Sequence, residues 1–136
     1  MKAIYAKDFN GNESQQNYQL ESMEEKIARL KKFGYKEVWI VDEYDLGESE
    51  TISLNSINDK SLYKVTYTYD ENVTANGKVK AKHRTADIYI YANNAEEISK
   101  RTDICENYAC RNPKNLNIMS IETADSMEKG KPCLVC

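Results

Sequence analysis

The alternation of apolar and polar side chains is cleanest between residues 62 and 92. In "LYKVTYTYDE", Tyr63, Val65, Tyr67 and Tyr69 fall on one side, with Lys64, Thr66 and Thr68 on the other. This is the period-two signature of a half-buried strand. In the following "NVTANGKVKAKHRTADIYIYA", Asn76-Gly77 is a strong hairpin signal, because a type I′ turn needs positive φ at both central residues. With the turn centred there, residues pair when their numbers sum to 153, so Tyr63 meets Ile90, Val65 meets Ile88, Tyr67 meets Ala86 and Tyr69 meets Arg84. Glu71 then faces Lys82 as an opposite-charge cross-strand pair. A one-residue slip would set Val65 against Asp87, so the register is well determined. The pattern predicts a long hairpin over 62–92. Its base packs on the core through Tyr63, Val65, Tyr67, Ile88 and Ile90, and its outer half, Asp70 to Arg84, projects.

Elsewhere the pattern predicts shorter elements. Lys2 to Ala6 reads as a strand, and the polar run from Lys7 to Gln19 as a loop. Ser22 opens a helix, with Glu25 at capping-box spacing and Met23, Ile27 and Leu30 as its apolar stripe, and Gly34 ends it. Glu37 to Tyr44 is apolar on both faces and belongs in the centre of a sheet, with Ile4 and Ile40 on parallel neighbours. "LGES" reads as a turn and Thr51 to Leu54 as a strand. Asn94 and Glu97 start a second helix carrying Ile98 and Ile104 or Cys105 inward, which cannot run past Pro113. Asn117 to Ile121 suits a short strand, and Ala124 to Lys129 a helical turn ended by Gly130. These elements predict an α+β fold: a mostly antiparallel sheet of about five strands with one main packing helix. A core domain over 1–104 carries the hairpin, and a cysteine-bearing C-terminal annex follows over 105–136.

Composition limits what such a fold can do. With 136 residues, 40% hydrophobic and 10% aromatic, the chain can fold as one domain. A mean hydropathy of −0.75 means a small core under a heavily charged surface. The net charge of −3 gives no global attraction to nucleic acid or anionic membranes, so such binding needs a local patch. No apolar run has signal-peptide or membrane-span length, which points to a cytoplasmic protein without membrane contact. Lys, Asn, Ile and Tyr make up 49 residues, and Lys outnumbers Arg 15 to 4, a bias toward AT-rich codons. It suits a low-GC bacterium, or a phage or mobile element living in one.

Two constellations bear on chemistry. Cys105 and Cys110, then Cys133 and Cys136, form two close pairs 22 residues apart. That layout resembles a four-thiolate structural zinc site, although the four-residue first spacer is unusual and Cys136 is the last residue given. Reduced thiols, a disulfide and a C-a-a-X lipid box are alternatives. A redox pair is the weaker reading, since no helix follows Cys133 and Cys136 to lower a thiol pKa. The second constellation is the basic arm "KVKAKHR". Lys78, Lys80, Lys82 and Arg84 share a strand face beside His83, with Tyr67 and Tyr69 at the inner end. A cationic row can follow a phosphate backbone while tyrosines stack on bases, or fit an acidic groove on a protein. The bland alternative is a lysine-guarded hairpin edge. His83 is the chain's one histidine and reads as solvent-exposed, opposite Asp70. The acidic run Asp42, Glu43, Asp45, Glu48 and Glu50 fits no cation loop. Phosphate-cradle, nucleophile-elbow and zinc-protease motifs are absent.

These readings point away from an enzyme. They favour an interaction protein that docks on a host protein or nucleoprotein complex. An accessory or inhibitor protein of a phage or mobile element, of the anti-CRISPR type, would have this profile. A nucleic-acid-binding module with structural zinc is the alternative, and a thiol oxidoreductase the third.

Overall fold

β1 (Lys2–Lys7) forms the middle of the first sheet, and the computed structural model describes residues 2–18, 21–42, 49–110 and 112–136. After β1 the chain turns through Gly11 (φ +79°) into β2 (Glu13–Gln16), which pairs antiparallel with β1. α1 (Met23–Lys32) follows, and then β3 (Glu37–Asp42) lies on the other edge of β1, also antiparallel, with Ile4 opposite Ile40. The expected parallel pairing of these two strands is therefore corrected. The strand feeding the helix is β2, whose ESQQ sequence carries no apolar signal. β2 and β3 run parallel, with β1 inserted between them, a split β-α-β unit. β4 (Ser49–Ser53) completes the sheet beside β3, giving the order β2-β1-β3-β4. Residues 43–48, which hold the first three positions of the predicted turn at "LGES" and most of the acidic run, lie outside the described residues, and Ser49 opens β4.

β3 is central, as its apolar sequence implies, yet only one of its faces is covered. Val38 and Ile40 are buried beside Ile4 and Ala6, whereas Trp39 is 41% exposed. α1 forms where capping predicts: the Ser22 hydroxyl accepts from the Glu25 N–H at 3.1 Å. Acidic Glu24 and Glu25 open it and basic Arg29, Lys31 and Lys32 close it, matching the helix dipole. Its inner face buries Leu30 and the stem of Lys26, with Met23 and Ile27 alongside.

The second sheet is built on β5 (Ser61–Ala75) and β6 (Lys78–Ala92). Their register runs unbroken from Ser61 opposite Ala92 to Ala75 opposite Lys78, as the Asn-Gly arithmetic requires. Asn76 and Gly77 have φ of +54° and +75°, the signs a type I′ turn demands. α2 (Ala95–Ser99), capped by Asn94, and α3 (Thr102–Ala109) then bury Ile98, Ile104 and Cys105 completely.

β7 (Lys114–Thr123) pairs with the free edge of β5. Val65 faces Ile121 and Thr66 faces Ser120, but Tyr67 faces Ile118, so Met119 is an inserted bulge residue. The bulge lets Ile118 and Ile121, three residues apart, both pack on the core while Met119 stays 60% exposed. Residues 124–130 make bends and a turn ending at Gly130 (φ +85°), not the helical turn predicted. Their polar groups are engaged elsewhere: Ala124 N–H donates to the Leu62 carbonyl, and the Glu128 carbonyl accepts from Asn10.

β8 (Cys133–Val135) finishes the sheet, parallel to β6, in the order β7-β5-β6-β8. All three residues are buried. The strand also bonds to the first half of the chain: Phe9 N–H donates to the Cys133 carbonyl at 2.9 Å and Val135 N–H to the Gly34 carbonyl at 3.1 Å. Cys133 N–H donates to the buried Asp8 carboxylate at 3.1 Å. The fold is thus α+β as expected, with α1 the longest helix, but its strands divide into two four-stranded sheets and it has three helices among the described residues. Residues 105–136 supply two of the four strands of the second sheet, and Cys105 lies in the main core.

Gly34 and Gly77 both have positive φ, but they differ in surroundings. A Cβ on Gly34 would sit 2.2 Å from the Val135 carbonyl oxygen, while one on Gly77 meets open space. Gly34→Ala should therefore cost roughly 3 kcal/mol or more, from strain plus displacement of β8. Gly77→Ala should cost only the backbone strain, about 1–2 kcal/mol. Urea unfolding of both variants checks the difference.

Candidate functional site

The hairpin divides where its neighbours end. β7 accompanies β5 as far as Asp70, and β8 accompanies β6 only over Tyr89–Tyr91. From Glu71 to Lys82 the two strands pair only with each other among the described residues. At about 3.4 Å per residue, the five residues Glu71–Ala75 carry the ribbon roughly 17 Å outward. Lys78, Lys80 and Lys82 are exposed on one face of β6, about 7 Å apart. None of the three forms a salt bridge among the described residues.

The inner cations are held differently. Arg84 Nε donates to Glu71 Oε1 at 2.6 Å, so Glu71 reaches diagonally past its cross-strand partner Lys82. His83 lies on the reverse face, exposed as predicted, with Nδ1 2.7 Å from Asp70 Oδ1. Asp70 also accepts from Asn115 Nδ2 at 3.0 Å, and these two contacts, Asn115 first, hold its carboxyl below the usual carboxylate range. The predicted row of four is consequently a tip of three unpaired lysines above a base of paired charges.

Tyr67 and Tyr69 share the lysine face but lie beneath the cover of α3, at 2% and 8% exposure. Their rings stack on each other at 5.9 Å, and the Tyr69 hydroxyl donates to the Ala109 carbonyl at 3.1 Å. Burial pushes the Tyr67 hydroxyl well above its ordinary pKa. Neither ring offers a face on which a nucleotide base could stack.

The four cysteines are all free thiols. Cys105 is inside α3, Cys110 caps its C-terminal end, Cys133 opens β8, and Cys136 follows that strand, three residues on. Alternation along an extended strand sends side chains three apart to opposite faces. Among the described residues, no three Cys, His, Asp or Glu side chains come together as a metal site requires. Burial, followed by the neighbouring Asp8 carboxylate, pushes the Cys133 thiol up to about 12. Burial likewise raises Cys105 to about 12 and Cys136 to about 11. A redox nucleophile needs the opposite shift.

Lysine spacing, hairpin register and capping were readable beforehand. The buried Asp8 and the exposed Trp39 were not singled out, although alternation in β3 marks Trp39 as facing away from Val38 and Ile40. The site defines a class only: an α+β protein bearing a basic two-stranded arm. Against known proteins, the chain matches no family model, no curated protein and no solved structure.

Iodoacetamide at pH 8 should label Cys105 and Cys133 only after unfolding, as read by mass spectrometry. The sign of the pH dependence follows from the raised thiols. Their contribution to stability is complete below the ordinary value of 9.0 and is lost as pH rises toward 11 to 12. The urea midpoint should accordingly fall above pH 9.

Proposed function

We propose that this chain is a non-catalytic interaction protein that docks its hairpin arm on an anionic surface of a host protein or nucleoprotein complex. The observation that carries the reading is the tip: Lys78, Lys80 and Lys82 in a row, exposed, on a ribbon with no acid between Asn72 and His83. Unpaired cations at fixed spacing raise the association rate with an oppositely charged surface and set its register. Val79, 67% exposed on the reverse of the tip, adds an apolar contact of the kind a protein partner supplies. An accessory or inhibitor protein of a phage or mobile element, acting in the cytoplasm in the manner of an anti-CRISPR, fits the small size and the AT-rich bias.

Direct nucleic-acid binding is the second reading, favoured by the same lysine row. It lacks the aromatic platform, because Tyr67 and Tyr69 are buried. It predicts affinity for generic duplex DNA or RNA with a log–log salt slope of about −3, one counterion per lysine. A thiol oxidoreductase receives no support from thiols whose pKa values are raised.

The test is capture from the lysate of a low-GC bacterial host, then affinity measurement on the isolated partner. Replacing Lys78, Lys80 and Lys82 by Glu should weaken binding by roughly 30-fold, about 0.7 kcal/mol per substituted lysine. It should leave the unfolding free energy within about 0.5 kcal/mol of the parent. Unchanged affinity in the triple variant would remove the arm from the interface.

A further inference from the structure

The outer face of the first sheet carries two cross-strand rows. One is Glu13, Lys7 and Glu37; the other is Tyr5, Trp39 and Thr51. Together these six side chains line an open groove of about 260 Å³. Tyr5 and Trp39 form its floor, with ring centroids 5.7 Å apart and planes tilted by 41°. The groove lies on the first sheet and shares no residue with the basic arm.

Its charge pattern selects among ligands. Lys7 stands between Glu13 and Glu37 in the strand register, and its Nζ is 3.8 Å from Glu37 Oε1. One lysine facing two carboxylates leaves one negative charge beside an aromatic floor. A cation is drawn to both features, through the ring quadrupole and through the carboxylates. A guanidinium suits them best, because it is planar, stacks on an indole face and directs N–H donors sideways into carboxylate oxygens. The rows are about 7 Å apart, which an arginine side chain spans with its stem over one row and its head at the other. A sugar ring would want amide and hydroxyl groups around the floor; Gln15, opposite Tyr5, and Thr51 supply one of each, whereas Lys7, Glu13 and Glu37 make the rest of the rim ionic.

We propose that this groove is a receptor for an arginine side chain of a partner protein, held by stacking on Trp39 and ion pairing with Glu37 and Glu13. This makes a second contact surface, opposite in charge to the arm and independent of it.

Trp39 is the chain's one tryptophan, so its fluorescence reports the groove without a label. The full chain is titrated at low salt with the peptide Gly-Gly-Arg-Gly-Gly and with its citrulline counterpart, a neutral isostere. The expected result is a saturable change with the arginine peptide and none with citrulline. Glu37→Gln and Glu13→Gln, which keep the fluorophore, should each weaken binding roughly fivefold, and Tyr5→Ala by a similar factor. No saturable response to arginine, an equal response to citrulline, or saturation by a chito-oligosaccharide instead would each overturn the proposal. Circular dichroism of the variants establishes that they are folded.

Discussion

Four N–H donors converge on the carboxylate of Asp8, a side chain only 1% exposed. Asn10 and Asn12 backbone N–H groups donate to one oxygen, and the Asn12 side chain and Cys133 backbone to the other. A buried carboxylate is tolerated when its lone pairs are filled, and costly when they are not. Here the last donor comes from the far end of the chain. Asn10 and Asn12 return the bond by donating to the Lys131 carbonyl. The two halves of the sequence are thereby clipped together, and the apolar Leu134 and Val135 are held in the core beyond the clip, Val135 against Gly34. Removing Asp8 would therefore cost more than one hydrogen bond. It would free the strand that links the second sheet to the first sheet and α1.

This clip explains the division of labour in the molecule. Because Cys133 and its neighbours serve packing, the cysteine-rich end of the chain is engaged in structure. The arm, by contrast, has no strand but β6 beside β5 beyond Asp70 among the described residues. A two-stranded ribbon is marginal by itself. This one is held at its base by the stacked pair Tyr67 and Tyr69, the Arg84–Glu71 contact and the Asn115–Asp70 bond. A firm base under a charged, unpaired tip lowers the ordering cost of binding.

Legibility in the sequence followed the range of the forces involved. The β5–β6 register was readable because turn chemistry at Asn76-Gly77 and the alternation around it are local and agree. The caps at Ser22 and Asn94 were local too. β2 was not readable, since a polar edge strand has no buried face to mark it, and missing it inverted the direction expected between β1 and β3. β8 was missed because its three residues become a strand only through Tyr89–Tyr91, some forty positions away. The pattern puts Tyr67 and Tyr69 at the inner end of the lysine row, but where the cover ends depends on α3, which only the tertiary fold reveals.

Amide hydrogen exchange measures most directly whether the C-terminal strand joins the halves while the arm stays free. The N–H groups of Cys133, Val135 and Cys136, bonded to Asp8, Gly34 and Tyr91, should exchange as slowly as those of Val65 and Ile88, through global unfolding. Residues 76–82 should exchange early. Rapid exchange of the three tail amides in a protein whose core stays protected would contradict the account, because the tail would then be an appendage and its cysteines available for other chemistry.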